Sequence, residues 1–242
     1  DRLGYLTWGE FPSWGLKLAN PEAQLNFLTE WSEVVARDAN HPSIITWSPL
    51  NESYMPDSRY LRGVFPNQEA LEDYRRFIRR IYNLTKQLDC TRPVNDSSGY
   101  LHVQTDLWTV HCYRSDAEKL LQSLFPEDFP VMIHNPDFEC GYTGQPYLAD
   151  EIGGLMFIPP GRSKFTEKSW GYYGLELKNE DEFCAAIAEQ VQVLLKEPRI
   201  AGFCYTQLTD IEQEQNGIYN YDRTPKAALH KIRQAINPEE LP

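Results

Sequence analysis

The chain has 242 residues, 41% of them hydrophobic, with 35 acidic against 23 basic side chains and a formal net charge of −12. That length holds one β/α barrel or two small domains, and the apolar fraction supplies a core. The negative balance repels phosphate backbones and anionic lipid, and no apolar stretch reaches the roughly 20 residues of a membrane span, so nucleic acid and membrane are excluded as partners.

In chain order, strand signals fall at residues 4–10, 43–52, 93–98, 107–113, 147–151 and 200–209. Helical patterns fall between most of them, at residues 21–37, 68–88, 116–124 and 181–195, and a last helix is predicted over 225–235. Residues 1–8 read as the end of one helix running straight into a strand, which places the true N-terminus upstream. Asn20 before Pro21 and Glu22 has the form of an N-cap with proline in the first turn, and Thr224-Pro225 repeats it. In the second helix Leu71, Tyr74, Phe77, Ile78, Ile81 and Leu84 recur three or four apart, leaving Arg75, Arg76, Arg79 and Arg80 on a solvated face.

Alternating strands and helices of this size imply an α/β fold, a parallel sheet with helices outside. Six strand–helix units are two short of a closed (β/α)8 TIM barrel, so the first two strands are expected to precede residue 1. An open sheet leaves two raw edges, to be covered by a homo-oligomer partner or by missing N-terminal domains. The regions 125–145 and 155–179 carry no clear element, and loops of that length tend to be functional.

The five cysteines, Cys90, Cys112, Cys140, Cys184 and Cys204, are an odd number without C-x-x-C spacing and read mostly as small core residues. The five histidines lack ligand spacing, so neither a catalytic metal nor any other cofactor is expected.

Two runs share one plan. SIITWSPLNE, residues 43–52, ends in Asn51-Glu52, and PYLADEIGG, residues 146–154, carries Glu151. A short run rich in β-branched residues reads as a buried parallel strand whose polar end emerges on the carboxyl side, the face that holds the active site of a β/α barrel. Glycosidic cleavage needs one carboxyl group to protonate the leaving oxygen and another to attack or stabilise the anomeric carbon. Glu52 and Glu151 are the two candidates. His111 and Tyr113, two residues apart, share one side of a regular strand. By the same alternation Asp150, next to Glu151, points away from the barrel interior and is not read as catalytic.

The segments DRLGYLTWGEFP (residues 1–12), 40–52, and 206–219 resemble the catalytic domain of glycoside hydrolase family 2, which includes β-galactosidases, β-glucuronidases and β-mannosidases. The resemblance runs from the third barrel strand to the last helix. It implies a retaining mechanism with Glu52, at the end of strand four, as acid/base and Glu151, at the end of strand seven, as nucleophile. It further implies that Asn51 hydrogen-bonds the sugar 2-hydroxyl and that Tyr113 hydrogen-bonds the nucleophile. The alternatives are a turn-forming Asn51 and a core Tyr113. Tyr205 lies on strand eight, where relatives present an aromatic ring to the sugar's apolar face, and alternation alone allows either that or an outward, helix-packed orientation. Trp8 is either a sugar platform or core, and Glu10 either a neighbour of the site or a salt-bridge partner.

The chain departs from the glucuronidase pattern. That branch places an Asn-x-Lys before its Gly-Ile-Phe segment, whereas here the run is Glu214-Gln215-Asn216-Gly217-Ile218-Tyr219. Without the lysine a uronate meets repulsion in place of a charge-assisted bond. The family's substrate-binding Arg and His near strands one and two, and its jelly-roll and immunoglobulin-like domains, are expected upstream of residue 1, so the chain alone is expected to be poorly active. The expected function is a retaining exo-β-glycosidase for terminal neutral β-linked sugars, β-galactosidase-like. The alternative is a non-catalytic carbohydrate-binding relative or inactive fragment.

Overall fold

The computed structural model describes residues 1–18, 20–53, 68–172 and 176–237. The chain divides into two compact units, Asp1–Val110 with Ile133–Tyr147, and His111–Met132 with Leu148–Pro242.

The first unit contains β1 (Thr7–Glu10), α1 (Pro21–Asp38), β2 (Ile44–Ser48), α2 (Gln68–Leu88) and the start of β3 (Trp108–His111). β1 and β2 pair in parallel, Trp8 opposite Thr46 and Glu10 opposite Ser48. They approach closely because Gly9 has no side chain: a Cβ there would lie 2.5 Å from the Trp47 ring. α1 begins where the Asn20 carboxamide accepts from Glu22 N–H at 2.9 Å and Ala23 N–H at 3.3 Å, with Pro21 supplying the first helical φ. Its buried stripe, Phe27, Leu28, Trp31 and Val35, meets Phe77, Ile78 and Ile81 of α2 in one core with Trp47. Trp31 and Trp47 cross edge-on, and each indole N–H is satisfied, by Thr85 Oγ1 and Asp89 Oδ2, both at 2.8 Å. Of the four α2 arginines, Arg76, Arg79 and Arg80 are exposed, whereas Arg75 is half-buried between Glu72 and the Phe138 carbonyl.

Two expectations for this unit change. Residues 1–6 form a turn and extended chain, not the end of a helix, and the Asp1 carboxylate accepts from Ser43 N–H. Residues 93–98 make only single parallel bridges, Trp47 to Val94 and Asn51 to Ser98, in place of a strand. The cause is Asp96, whose buried carboxylate gathers the N–H groups of Ser97, Val103 and Gln104 and one nitrogen of His102. Such local side-chain acceptors compete with a regular ladder.

The second unit contains α3 (Ala117–Leu124), capped by Asp116, and all but the first residue of β4 (Tyr147–Gly153). It continues through β5 (Met156–Phe157), β6 (Glu176–Leu177), α4 (Glu180–Lys196), β7 (Gly202–Thr206) and α5 (Leu229–Ile236). β4 and β7 pair in parallel, with a register shift between Ala149 and Ile152. β5 and β6 form a short parallel pair inside residues 155–179, which carry no strand signal in the sequence. The Asn179 carboxamide caps α4 by accepting from Glu182 N–H at 2.9 Å. The buried face of α4, Phe183, Cys184, Ile187 and Val191, packs with Leu155, Phe157, Ile218, Ala227, Ile232 and Ala235.

The last helix begins at Leu229, four residues after the predicted start. Thr224-Pro225 is not its cap. Thr224 closes a turn on Asp222, Pro225 bridges Tyr219 antiparallel, and Lys226 N–H donates to the Ile218 carbonyl. The N–H of Ala228, which precedes α5, is taken by the Glu180 carboxylate of α4. Among the cysteines, all free, only Cys112 and Cys184 are buried, and Cys90 and Cys204 are exposed, so the expectation of a mostly core role fails for these two. No described helix is long and apolar enough to cross a membrane.

A buried ion pair secures the segment after β7: Lys226 Nζ lies 2.7 Å from Asp210 Oδ1 and also donates to the Gln215 carbonyl at 2.9 Å. Burial pulls the lysine down and pushes the aspartate up, and each offsets the other's desolvation. Lys226→Met is expected to cost about 3 to 5 kcal/mol by stranding Asp210, with a neutral residue at both positions recovering part of it. Denaturant unfolding of the two variants checks this, and equal losses would remove the pairing as the cause.

Candidate active site

In the first unit β2 ends at Ser48, short of the predicted strand end at Glu52, and the chain continues through Pro49 and Leu50 to Asn51 and Glu52. Asn51 bridges Ser98, and Glu52 N–H donates to the Ser98 carbonyl at 3.0 Å. Ser13 clamps the same point from the loop after β1, accepting from Asn51 N–H at 3.0 Å and donating to the Asn51 carbonyl at 3.2 Å. Glu52 turns the chain with φ +46°. For a non-glycine residue that region costs on the order of 1 kcal/mol or more and is held only by surrounding contacts, here the Ser98 and Ser13 hydrogen bonds. The Asn51 side-chain oxygen is buried and accepts no hydrogen bond among the described residues. Asn51 and Glu52 line a cavity of about 510 Å³ together with Trp14, Leu16, Leu18 and Tyr74. Trp8 is half-buried on β1, and Glu10 is exposed at its end.

Another acidic side chain of this unit, Glu139, accepts from the N–H groups of His134 and Asn135 at 3.2 and 3.3 Å. Burial pushes its carboxyl up to about 7, so it is partly protonated near neutrality.

In the second unit Glu151 sits on β4 where the pairing with β7 shifts register. Its carbonyl accepts from Cys112 N–H at 2.9 Å, which brings the residues beside Cys112 to its carboxylate. The Tyr113 hydroxyl donates to Glu151 Oε2, and His111 Nδ1 lies 3.3 Å from the same oxygen. The other ring nitrogen of the buried His111 is 3.7 Å from Asp150 Oδ1. Asp150 and Glu151 thus lie near opposite nitrogens of one imidazole. Burial, and then the negative charge of Glu151, raise the Tyr113 phenol far above its ordinary range, so it remains a donor. A carboxylate that accepts from such a donor is held anionic and in one orientation, which suits a nucleophile.

Tyr205 takes the helix-packed orientation of the two that alternation allows. It joins the apolar cluster of α4 and α5, with its ring against Gly153 and its phenolic oxygen buried. Gln207 donates to the Asn216 side chain at 2.8 Å, and the Thr206–Gln207 peptide is cis. The sequence reading missed Ser13, whose partner is 38 positions away, and Tyr172, which stacks on Tyr113 from a stretch without periodic pattern.

Parallel strands leading into helices, with acidic residues following β2 and within β4, define a β/α domain equipped for carboxylate chemistry. The model of the family described as glycosyl hydrolases family 2, TIM barrel domain, matches residues 5–240. The chain belongs to glycoside hydrolase family 2, as a TIM-barrel glycoside hydrolase domain. It is 25% identical over 242 residues to a β-galactosidase of Kluyveromyces lactis, covering 92% of this chain and 19% of that protein. It is 34% identical over 260 residues to a β-glucuronidase of Chlorocebus aethiops, covering 97% and 35%. Among solved structures, a Bacteroides uniformis β-glucuronidase aligns with a TM-score of 0.67 at 20% identity over 96% of this chain and 28% of that one. A family 2 β-galacturonidase from Eisenbergiella tayi gives 0.65 at 20% identity, over 96% and 40%. At that identity the likeness establishes the fold. The chain spans between a tenth and about a third of the length of the first curated relatives it matches.

Proposed function

We propose that the protein containing this chain is a retaining exo-β-glycosidase that removes terminal neutral sugars, β-galactosidase-like, by double displacement. The observation that carries this reading is the Glu151 carboxylate held by the Tyr113 hydroxyl. In the proposed first step Glu151 attacks the anomeric carbon while Glu52 protonates the departing oxygen. Glu52 then takes a proton from water, which displaces Glu151 and leaves the configuration unchanged. This requires the two carboxyl groups to stand about 5 to 5.5 Å apart in the working enzyme. The unmatched Asn51 oxygen beside Glu52 supports a contact to the sugar 2-hydroxyl, a bond that tightens as charge develops in the ring.

In the same reading β1 is barrel strand three. The first two strands and the jelly-roll and immunoglobulin-like domains are supplied by sequence outside this chain, consistent with the small share of the relatives that it spans.

Preference for a neutral sugar rests on the segment 214–219. Asn216 is buried and bonded to Glu214 and Gln207, and the nearby buried cation, Lys226, is committed to Asp210 and a carbonyl. A panel of 4-nitrophenyl β-glycosides tested on the full-length protein is expected to rank the galactoside first and the glucuronide last. A glucuronide in first place would overturn the neutral assignment, and saturable binding without release of nitrophenolate from any of them would favour a carbohydrate-binding role.

A further inference from the structure

We propose that Tyr172 is a positioning residue for Glu151: by stacking on Tyr113 it holds the phenol in line with the carboxylate. The inference rests on the assignment of Glu151 as nucleophile and adds a residue to it. Tyr113 follows β3, whose last residue is His111, so its ring lies past the strand, where the Thr206 side chain meets its hydroxyl. The Tyr172 ring covers its face there, with centroids 3.6 Å apart and planes within 4°.

The stack is built into the strand that carries Glu151. Three residues on, Gly154 has φ +69°, and a Cβ there would come within 2.5 Å of the Tyr172 ring and 2.9 Å of the Tyr113 ring. Glycine thus makes room for both. The Gly154 carbonyl accepts from Tyr172 N–H at 2.9 Å, and Gly154 N–H donates to the Thr206 carbonyl at 2.8 Å, which ties the arrangement to β7. Trp170 backs Tyr172 edge-on at 5.2 Å and is itself held by hydrogen bonds with Gln213 and Gln215 at 2.8 and 3.0 Å. With one ring face covered in this way, Tyr113 loses the χ1 and χ2 freedom that would carry its hydroxyl away from Glu151.

The test reads the ionisation of Glu151 directly and needs no substrate. The full-length protein is labelled with carboxyl-¹³C glutamate, the Glu151 signal is assigned by its loss in Glu151→Gln, and the signal is titrated in each variant. His111 and Tyr113 face this carboxylate, Asp150 faces His111, and Glu52 is its proposed catalytic partner; the Tyr172 variants change none of them. Tyr113→Phe is expected to raise the Glu151 midpoint by roughly one to two pH units, the worth of a hydrogen bond to a charged group. Tyr172→Ala should give about half of that rise or more, and Tyr172→Phe, which keeps the stack, none. Tyr172→Leu, which fills more of the space, serves if the alanine variant does not fold, as judged by near-ultraviolet circular dichroism. Wild-type titration in the alanine and leucine variants, or an equal rise in Tyr172→Phe, would overturn the proposal. No rise in Tyr113→Phe would instead remove the Tyr113 contribution to Glu151 on which the stack is said to act.

Discussion

Glu151→Gly in the full-length protein is expected to lower turnover by roughly 10⁴- to 10⁶-fold, the scale on which an enzyme loses rate when its nucleophile is removed. The loss is expected for every glycoside the enzyme accepts, because no glycosyl-enzyme can form. Added azide or formate should then restore part of the rate by entering the vacated space, giving a glycosyl product of inverted configuration. The configuration, read by NMR, is the decisive measurement: a single displacement from the Glu151 side gives inversion, whereas attack by Glu151 followed by displacement of Glu151 by water from the opposite face gives retention. Near-normal turnover in Glu151→Gly would move the search to Glu10 or Glu139. Of these Glu139 is the weaker substitute, since burial keeps it partly protonated and main-chain N–H groups already occupy one of its oxygens.

Glu52→Ala is expected to act through the leaving group. General acid catalysis is worth roughly 10²- to 10⁴-fold, and that loss should appear in full for alkyl glycosides, whose alkoxides cannot depart unprotonated. A 2,4-dinitrophenyl glycoside needs no proton on departure, so its glycosylation step should be nearly unaffected, and azide should speed the second step by replacing the water that Glu52 activates. Equal slowing of activated and unactivated glycosides, with no azide effect, would refute the acid/base role. The left-handed backbone at Glu52 gives the alanine variant a secondary consequence. Both residues carry the Cβ penalty at φ +46°, so alanine should leave the local fold unchanged.

Much of this protein could be read from its sequence because the signals concerned are local. The apolar stripe of α2 and the Asn20-Pro21 start of α1 depend on residues within a turn or two of one another, and both helices lie where the pattern puts them. The alternation of strands and helices, the runs ending near Glu52 and Glu151, and the family motifs were likewise written in contiguous segments, and with them the class of enzyme. Tertiary structure decided what depended on distant partners. Residues 93–98 lost their ladder because Asp96 collects donors from residues up to eight positions away. α5 starts at Leu229 because the preceding Ala228 N–H meets a carboxylate on α4, while Thr224-Pro225 is spent on a turn against Asp222 and Tyr219. Period-two alternation left the direction of Tyr205 open, and packing against α4 resolved it. The same rule says nothing of the approach of Asp150 to the far nitrogen of the His111 ring, 3.7 Å away, whose other nitrogen Glu151 meets. The Tyr113–Tyr172 stack joins rings 59 positions apart across a glycine that makes room for both, and no local pattern encodes such a contact, because its energy exists only once the chain has brought the two rings together.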